Sequence, residues 1–450
     1  MSDEVQDNKS RINRNTIDKD KLKKMDKKIK SKPKMVIYYT KHVSEHLLLC
    51  IRWIFFACIV GVVVGGFSTL FAYSMNKVTA FRMENPNIIF LLPVAGLFIV
   101  FLYRIFDYKN DKGTNLVLST IHAEAEVPIK MAPLIFISTV VTHLFGGSAG
   151  REGAALQLGG SIGNFLGRIF KLDDRDKRVI VMCGMSAAFA AVFGTPMAAA
   201  IFAMEVVSVG VMYYAALVPC VFSVIIASQF ASNMGISSST FKITDIPDLS
   251  IISGAEILVL AILCAGLSVI FCIMLHKFGD IYRKYIKNPY YRIFFAGVLV
   301  ILITLALGTT DYNGAGVDVI EKAINGQAIP YAFIVKMILT AITIEAGFKG
   351  GEIVPSFFIG ATFGCVFANI IGLSPSLCAA VGMISVFCGV TNCPITSILI
   401  SFELFGFKGV PYFLIASSIS YLLSGYYGLY NDQTIVYSKY KTLFINRKAR

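Results

Sequence analysis

The apolar residues of this chain come in two kinds of run, and the difference between them limits what it can fold into. Six runs, 49–76, 88–106, 211–235, 255–276, 291–307 and 410–429, approach or exceed the length a helix needs to cross a bilayer. Seven others, 131–145, 154–170, 179–193, 196–208, 331–346, 353–371 and 376–390, are too short or too interrupted by Gly and Pro to cross simply. In hydrocarbon every backbone polar group must be satisfied inside the protein, so irregular backbone between such pieces is tolerated only where it is buried or lines a wet cavity. Broken helices are expected of a transport pathway rather than of an anchor. With 56% hydrophobic and 15% charged residues the chain is too apolar for an ordinary soluble domain. The reading is an all-α polytopic membrane protein.

Charge gives the orientation. The first 47 residues carry 13 Lys and Arg against 7 Asp and Glu, and the chain ends on the basic stretch KYKTLFINRKAR. The positive-inside rule then puts both termini in the cytoplasm of a cell-membrane protein. The N-terminal tail reads as a solvated or amphipathic extension drawn to anionic lipid, so the net charge of +13 reports topology rather than nucleic-acid binding. No cleavable signal peptide and no C-terminal regulatory domain are expected. Ten Cys, mostly within apolar runs and without a C-x-x-C pair, read as small core hydrophobes, and five dispersed His offer no zinc constellation. No metal or other cofactor is expected.

The chain also resembles itself. GMSAAFAAVFGTPMAAAIFAME from Gly184 and GMISVFCGVTNCPITSILISFE from Gly382 share Gly-Met, then Pro twelve residues after the Gly, then Glu nine after the Pro. The pairs Pro196/Pro394 and Glu205/Glu403 are thus 198 residues apart. Upstream, GREGAALQLGGSIG (150–163) aligns with GEIVPSFFIGATFG (351–364), and Gly113 with Gly314, at an offset of 201. Four ordered matches at nearly one offset define two structural repeats. The organisation expected is a tail (1–47), a first repeat (48–236), a polar connection (237–252), a second repeat (253–430) and a basic C-terminal segment (431–450). Transporter repeats of this kind commonly have inverted topology and hold substrate at their interface.

Glycine-rich breaks lead into apolar helical runs at Gly113-Thr114-Asn115, at Gly146 to Gly153 and at Gly350 to Pro355. A helix start carries unpaired N–H groups and partial positive charge, and glycine lets a ligand approach that backbone closely. Several such starts converging make an anion site gentle enough to release its ion, which a lysine would not. The competing reading, that the glycines only permit close helix packing, is preferred for GGSIG alone. Glu152 is then an intramembrane ionisable residue at an anion-attracting helix start. Its carboxylate can occupy the site, and protonation removes that competitor. A salt bridge to Arg151 is not expected, because neighbours on a helix do not face each other. Glu205 and Glu403 read as structural caps or pairing groups near the repeat interface.

GGSAGREGA, GGEIVP and the two P-x8-E helices are similar to the motifs of the CLC anion channels and proton-coupled anion transporters, over about 49–440. The resemblance implies an inverted repeat of tilted, partly broken transmembrane helices, assembled as a homodimer with a pathway in each subunit. It implies that Glu152 is the external gating glutamate. The family's first anion loop, Gly-Ser-Gly-Ile-Pro, falls at Gly113-Thr114-Asn115-Leu116, so Thr114 replaces the serine. The amides of Glu352, Ile353 and Val354 fall at the second loop, and Tyr437 where a tyrosine hydroxyl closes the inner side. Asn115, Arg151 and Gly153 complete the candidate anion ligands.

The departures narrow the reading. The usual Pro after the gating-motif Gly is Ala154, the usual Phe is Ile353, an extra acid stands at Glu352, and Val206 stands where chloride/proton exchangers carry an inner glutamate. Together they resemble the fluoride/proton antiporter subgroup, and fluoride, small and strongly hydrated, needs close donors to replace its water. The function expected is export of fluoride in exchange for protons, with Glu152 as gate and proton carrier. Glu352 is either a second proton carrier or a structural pairing partner. A CLC chloride/proton exchanger or chloride channel is the alternative. A membrane-embedded enzyme is disfavoured, because no nucleophile–base set or metal cluster accompanies Glu152.

Overall fold

The computed structural model describes residues 32–108, 112–122, 126–236 and 240–449, with side chains from His42 onward. Residues 1–31 of the expected tail and 237–239 of the expected connection lie outside the described residues. The chain divides at Phe55 into an N-terminal unit and a second unit from Phe56 on, and the site described below lies in the second.

The described residues form sixteen helices in two runs of eight. The first run is α1 (Lys32–Glu84), α2 (Leu92–Ile105), α3 (Thr114–Ile121), α4 (Met131–Leu144), α5 (Glu152–Ile169), α6 (Asp174–Phe193), α7 (Pro196–Glu205) and α8 (Leu217–Asn233). The second is α9 (Ile251–Tyr285), α10 (Pro289–Leu307), α11 (Val317–Ile324), α12 (Ala332–Ala346), α13 (Ile353–Ile371), α14 (Pro375–Thr391), α15 (Pro394–Phe405) and α16 (Val410–Leu423). The repeated sequence motif explains its own geometry. Asp173 caps α6 and Ser374 caps α14 through side chains that accept backbone N–H groups three residues on. Each helix ends on a left-handed residue, Gly194 or Asn392, two types that tolerate positive φ. Pro196 and Pro394 then start the next helix where a missing N–H costs nothing.

Reciprocal caps fix the relation between the halves. Glu205, at the end of α7, accepts from Ile395 N (3.0 Å), Thr396 N (2.8 Å) and Thr396 Oγ1 (2.6 Å) at the start of α15. Glu403, near the end of α15, accepts from Met197 N (2.7 Å) and Ala198 N (2.9 Å) at the start of α7. Each helix's end meets the other's start, so the pair runs antiparallel, as an inverted repeat requires. Both glutamates act as the structural caps that their positions suggested.

The GGSIG glycines, read as packing positions, and Gly360 in the second repeat lie inside continuous helices. A Cβ on Gly159 would sit 2.1 Å from Gly184 O, and one on Gly360 would sit 2.2 Å from Gly382 O. Their role is backbone-to-backbone approach of α5 with α6 and of α13 with α14. Run 353–371, expected to be broken, is therefore one helix of 19 residues. Run 410–429, expected to span, is helical only over Val410–Leu423, because Gly425 at φ +61 turns the chain. Six helices among the described residues are long and apolar enough to cross a membrane: His42–Glu84, Pro86–Ile105, Tyr214–Asn233, Ile251–Tyr285, Pro289–Leu307 and Ile353–Ile371.

A small sheet, too short to read from sequence, joins the helices. Strand β1 (Ser208–Val209) runs parallel to β2 (Thr434–Tyr437), which pairs antiparallel with β3 (Phe444–Lys448). It ties the segment after α16 to the end of α7.

Glu205→Ala leaves three donors unpaired and is expected to cost about 3–5 kcal/mol, and Glu403→Ala about 2–3 kcal/mol, at about 1–3 kcal/mol per bond to a charged group. Denaturant unfolding in dodecyl maltoside, followed by circular dichroism, checks both. A loss below about 1 kcal/mol in each would remove the caps from the interface's stability.

Candidate functional site

The halves meet where α5 and α13 begin. Gly150 and Gly351 exchange both backbone hydrogen bonds, at 2.7 and 2.8 Å, in an antiparallel bridge just before the two helices. A Cβ on Gly351 would lie 2.5 Å from Gly153 N, and one on Gly153 would lie 3.0 Å from Gly351 Cα. Only glycine allows this approach, and it places the open N–H groups of two helix starts side by side. Thr114, first residue of α3, joins them: its hydroxyl donates to Gly153 O (3.4 Å) and accepts from Gln157 Nε2 (3.3 Å). Ile353 and Val354, first residues of α13, are fully buried here.

Two carboxylates, one from each half, occupy the junction. Glu152 is 1% exposed and folds back over its own helix start. Its Oε2 accepts from Arg151 N at 3.0 Å. Glu352, the cap residue at the matching start of α13, supplies the second carboxylate. Its Oε2 lies 3.5 Å from where a side chain on Gly153 would begin, so it reaches across the bridge to α5.

Three expectations are corrected. Arg151 does pair with Glu152, Nε to Oε1 at 3.6 Å, while its Nη1 donates to Asn76 Oδ1 at 2.8 Å. The rule about helix neighbours does not apply, since Arg151 is the cap residue at φ −115, ψ −17, outside the regular helix. Asn115 uses its Oδ1 to accept from Asp432 N at 3.0 Å, which holds the C-terminal segment rather than facing the junction. Tyr437 is half-exposed on β2 with its ring against Phe444. The strand register shifts between Ile435 and Tyr437, and the ring leaves the buried side.

The tyrosine near the junction is Tyr430, fully buried and an electrostatic neighbour of Glu352, Cys393 and Glu152. The stretch carrying it docks on the end of α14, where Leu429 N donates to Val390 O (2.9 Å). Gly428 was the available signal, since a Cβ there would lie 2.8 Å from Asn392 Nδ2. Beyond Tyr430, Gln433 Nε2 donates to the carbonyls of Val206 (2.9 Å) and Thr391 (2.8 Å), joining the ends of α7 and α14. Val206 itself caps α7 and carries no proton-binding group.

A cavity of about 470 Å³ leads to Glu152, lined among others by Asn76, Arg82, His143, Arg151, Asn313 and Asp318. Sequence reading missed Arg82, near the end of α1, whose Nη1 donates to His143 O (3.0 Å). It also missed Lys336 in α12, fully buried, whose Nζ donates to Tyr312 O (3.1 Å) and Gly314 O (2.6 Å). Two cations, Arg82 and Arg151, and two acids, Asp311 and Asp318, thus line the approach, and Arg151 reaches the Glu152 carboxylate. Among the described residues, no three His, Cys, Asp or Glu side chains gather as metal ligands would.

Fold and junction together define a multi-pass membrane protein of inverted, broken-helix repeats with a charged site at their interface. Residues 95–425 match the family described as voltage gated chloride channel, and the chain belongs to this CLC family of channels and transporters. It is 36% identical to the "Chloride/fluoride channel protein" of Pseudomonas syringae pv. tomato over 86% of this chain and 88% of that protein. It is 24% identical to the "H(+)/Cl(-) exchange transporter ClcA" of Vibrio cholerae over 78% of this chain and 81% of the other. The crystal structure of a CLC-type fluoride/proton antiporter superposes with TM-score 0.82 at 33% identity, covering 85% of this chain and 98% of that one. A slow cyanobacterial Cl-/H+ antiporter shares the fold, with TM-score 0.74 at 20% identity over 83% of this chain and 94% of that one.

Gly351→Ala forces the two helix starts apart, and overpacking of about 1–3 kcal/mol predicts an anion flux at least about tenfold lower. Tyr437→Phe is expected to leave flux unchanged. Efflux from liposomes, with size-exclusion profiles as the folding control, measures both.

Proposed function

We propose that this protein exports fluoride in exchange for protons, with Glu152 as gate and proton carrier. One observation carries the reading: the buried Glu152 carboxylate lies on its own helix start, where a mobile anion would bind. Charged, it competes with that anion; protonated, it loses its attraction to the partial positive charge and yields the place. A proton taken up by the carboxylate is thereby exchanged against an anion.

The Thr114 hydroxyl and the N–H groups of Gly153, Ile353 and Val354 serve as anion donors in this reading, and Arg151 supplies potential from the cavity side. Tyr430 takes the inner position first given to Tyr437, and Asn115 serves the C-terminal segment. Fluoride rather than chloride is supported by the name of the Pseudomonas relative, by the 33% identical fluoride/proton antiporter and by Val206 in place of an inner acid. Glu352, the second carboxylate at the bridge, shares the proton task. The two repeats span 48–236 and 253–430, between a tail (1–47), a connection (237–252) and a C-terminal segment (431–450). The protein is a homodimer in the cell membrane with both termini in the cytoplasm, as the basic ends support. Chloride conduction is the second reading, because the Pseudomonas relative is named for chloride as well.

Liposome efflux of fluoride and of chloride, with and without a proton gradient, separates these readings. The expected result is fluoride efflux coupled to proton uptake, reduced about 100-fold or more in Glu152→Gln, as for loss of a positioned proton-transfer group. Chloride flux indifferent to the proton gradient would establish the channel reading instead. Glu352→Gln is expected to impair coupling, and unchanged coupled flux would exclude it from proton transfer.

A further inference from the structure

A second cavity, of about 790 Å³, lies between the C-terminal end of α2, the start of α10 and the C-terminal end of α12. Four cations line it: Arg104, Lys287, Arg292 and Lys349. Tyr103, Tyr108 and Tyr290 add hydroxyl-bearing rings. Arg292 is fixed by donating Nε to Ala346 O (2.9 Å), and the Lys349 ammonium lies 4.7 Å from the centre of the Tyr103 ring. Glu345, at the end of α12, faces Arg283, Arg292 and Lys349 and offsets part of this charge. Arg104 and Lys287 are exposed at the mouth.

The cavity is amphipathic. Ile99 and Val100 form an apolar wall, and next to it Ile105, Tyr291 and Phe295 on α2 and α10 are more than half exposed, as side chains facing acyl chains are. Its side of the membrane follows from the short link between α9 and α10, RKYIKNPYYR from Arg283 to Arg292, with four cations in ten residues. A short basic link between two bilayer-length helices belongs on the cytoplasmic side, where the leaflet is anionic.

We infer that this cavity seats the phosphate headgroup of an anionic phospholipid of the cytoplasmic leaflet. Guanidinium groups pair with phosphate through two parallel bonds, lysines add point charge, and tyrosines settle at headgroup depth. The acyl chains lie along the exposed apolar side chains of α2 and α10. Lys349 stands three residues before Glu352, and its N–H donates to Thr142 Oγ1 (3.1 Å). A headgroup held here braces the loop that leads from α12 to the anion junction.

Native mass spectrometry of the full chain in detergent tests this with dioleoyl phosphatidylglycerol, dioleoyl phosphatidylcholine and inorganic phosphate as separate probes. Phosphatidylglycerol is expected to be retained over phosphatidylcholine. The variant Arg104→Gln/Lys287→Gln is expected to lose about 25-fold in that retention, about fivefold for each cation removed. Lys284→Gln, on the same link but outside the cavity, is expected to keep it, and millimolar phosphate is expected not to displace the lipid. Equal retention of the two lipids, or equal loss in Lys284→Gln, overturns the site, and displacement by phosphate alone overturns the lipid. If the double variant elutes abnormally on size exclusion, Arg104→Gln alone carries the test, with about fivefold expected and no change overturning it.

Discussion

The bridge between Gly150 and Gly351 brings the positive ends of two helices together, and most of the site follows from the cost of doing so. Each helix start carries roughly half a positive charge, so two starts held by a pair of 2.7–2.8 Å bonds repel unless negative charge lies beside them. The chain supplies that charge twice. At α7 and α15 the carboxylates come from the opposite repeat, Glu403 and Glu205, each fixed by two or more bonds to the start it covers. At α5 and α13 they come from the starts themselves: Glu152, which accepts from Arg151 N, and Glu352, whose Oε2 lies beside Gly153. A cap supplied across the interface cannot leave without opening the repeats. A cap on the first turn of its own helix can move by turning one side chain. The same electrostatic need is thus met by caps held across the interface at one pair of starts and by carboxylates from the starts themselves at the other.

The helices that carry these starts are closely packed. Gly159 against Gly184 and Gly360 against Gly382 lock α5 onto α6 and α13 onto α14 at backbone contact, where added methyl groups would collide with carbonyl oxygens. Between the repeats, Phe193 stacks on Phe357 (5.5 Å), which meets Phe387 (5.1 Å), which in turn meets Phe202 (6.1 Å). Phe193 and Phe357 also line the cavity that reaches Glu152. Aromatic packing therefore continues up to the cavity that reaches the Glu152 carboxylate.

The fold was largely legible because its constraints are local and repeated. Gly184 and Gly382, Pro196 and Pro394, and Glu205 and Glu403 carry their roles in residue type: close approach, helix start, cap. Glu152 was legible as an acid at a glycine-rich helix start in an apolar stretch. Asn115 and Tyr437 were misplaced because their positions depend on the C-terminal segment, whose route is set by contacts with α3, α7 and α14 far away in sequence. The two-residue strand β1 and the register shift before Tyr437 leave no periodic signal. The Arg151–Glu152 pair was missed because the capping residue escapes the helical geometry its sequence position suggests. Arg82 and Lys336 were hidden because neither belongs to a motif: one sits in the last turn of α1 and the other is the one Lys or Arg of α12.

Those two cations explain how a symmetric scaffold makes a one-way arrangement of binding groups. Gly113 and Gly314 are sequence counterparts, each at positive φ before a short helix, α3 or α11. The first loop delivers Thr114 to the junction, where its hydroxyl meets Gly153. The second is held back: Lys336 binds the carbonyls of Tyr312 and Gly314, while Asn313 Nδ2 donates to Gly146 O (2.7 Å). The Arg82 guanidinium packs against Gly314, whose φ of +60 favours glycine. Residues 315–317 consequently line the cavity that leads to Glu152 instead of touching the bridge. The repeats thus bring three helix starts to the junction and keep the fourth at the entrance, where the buried Lys336, bonded to two carbonyls, holds it.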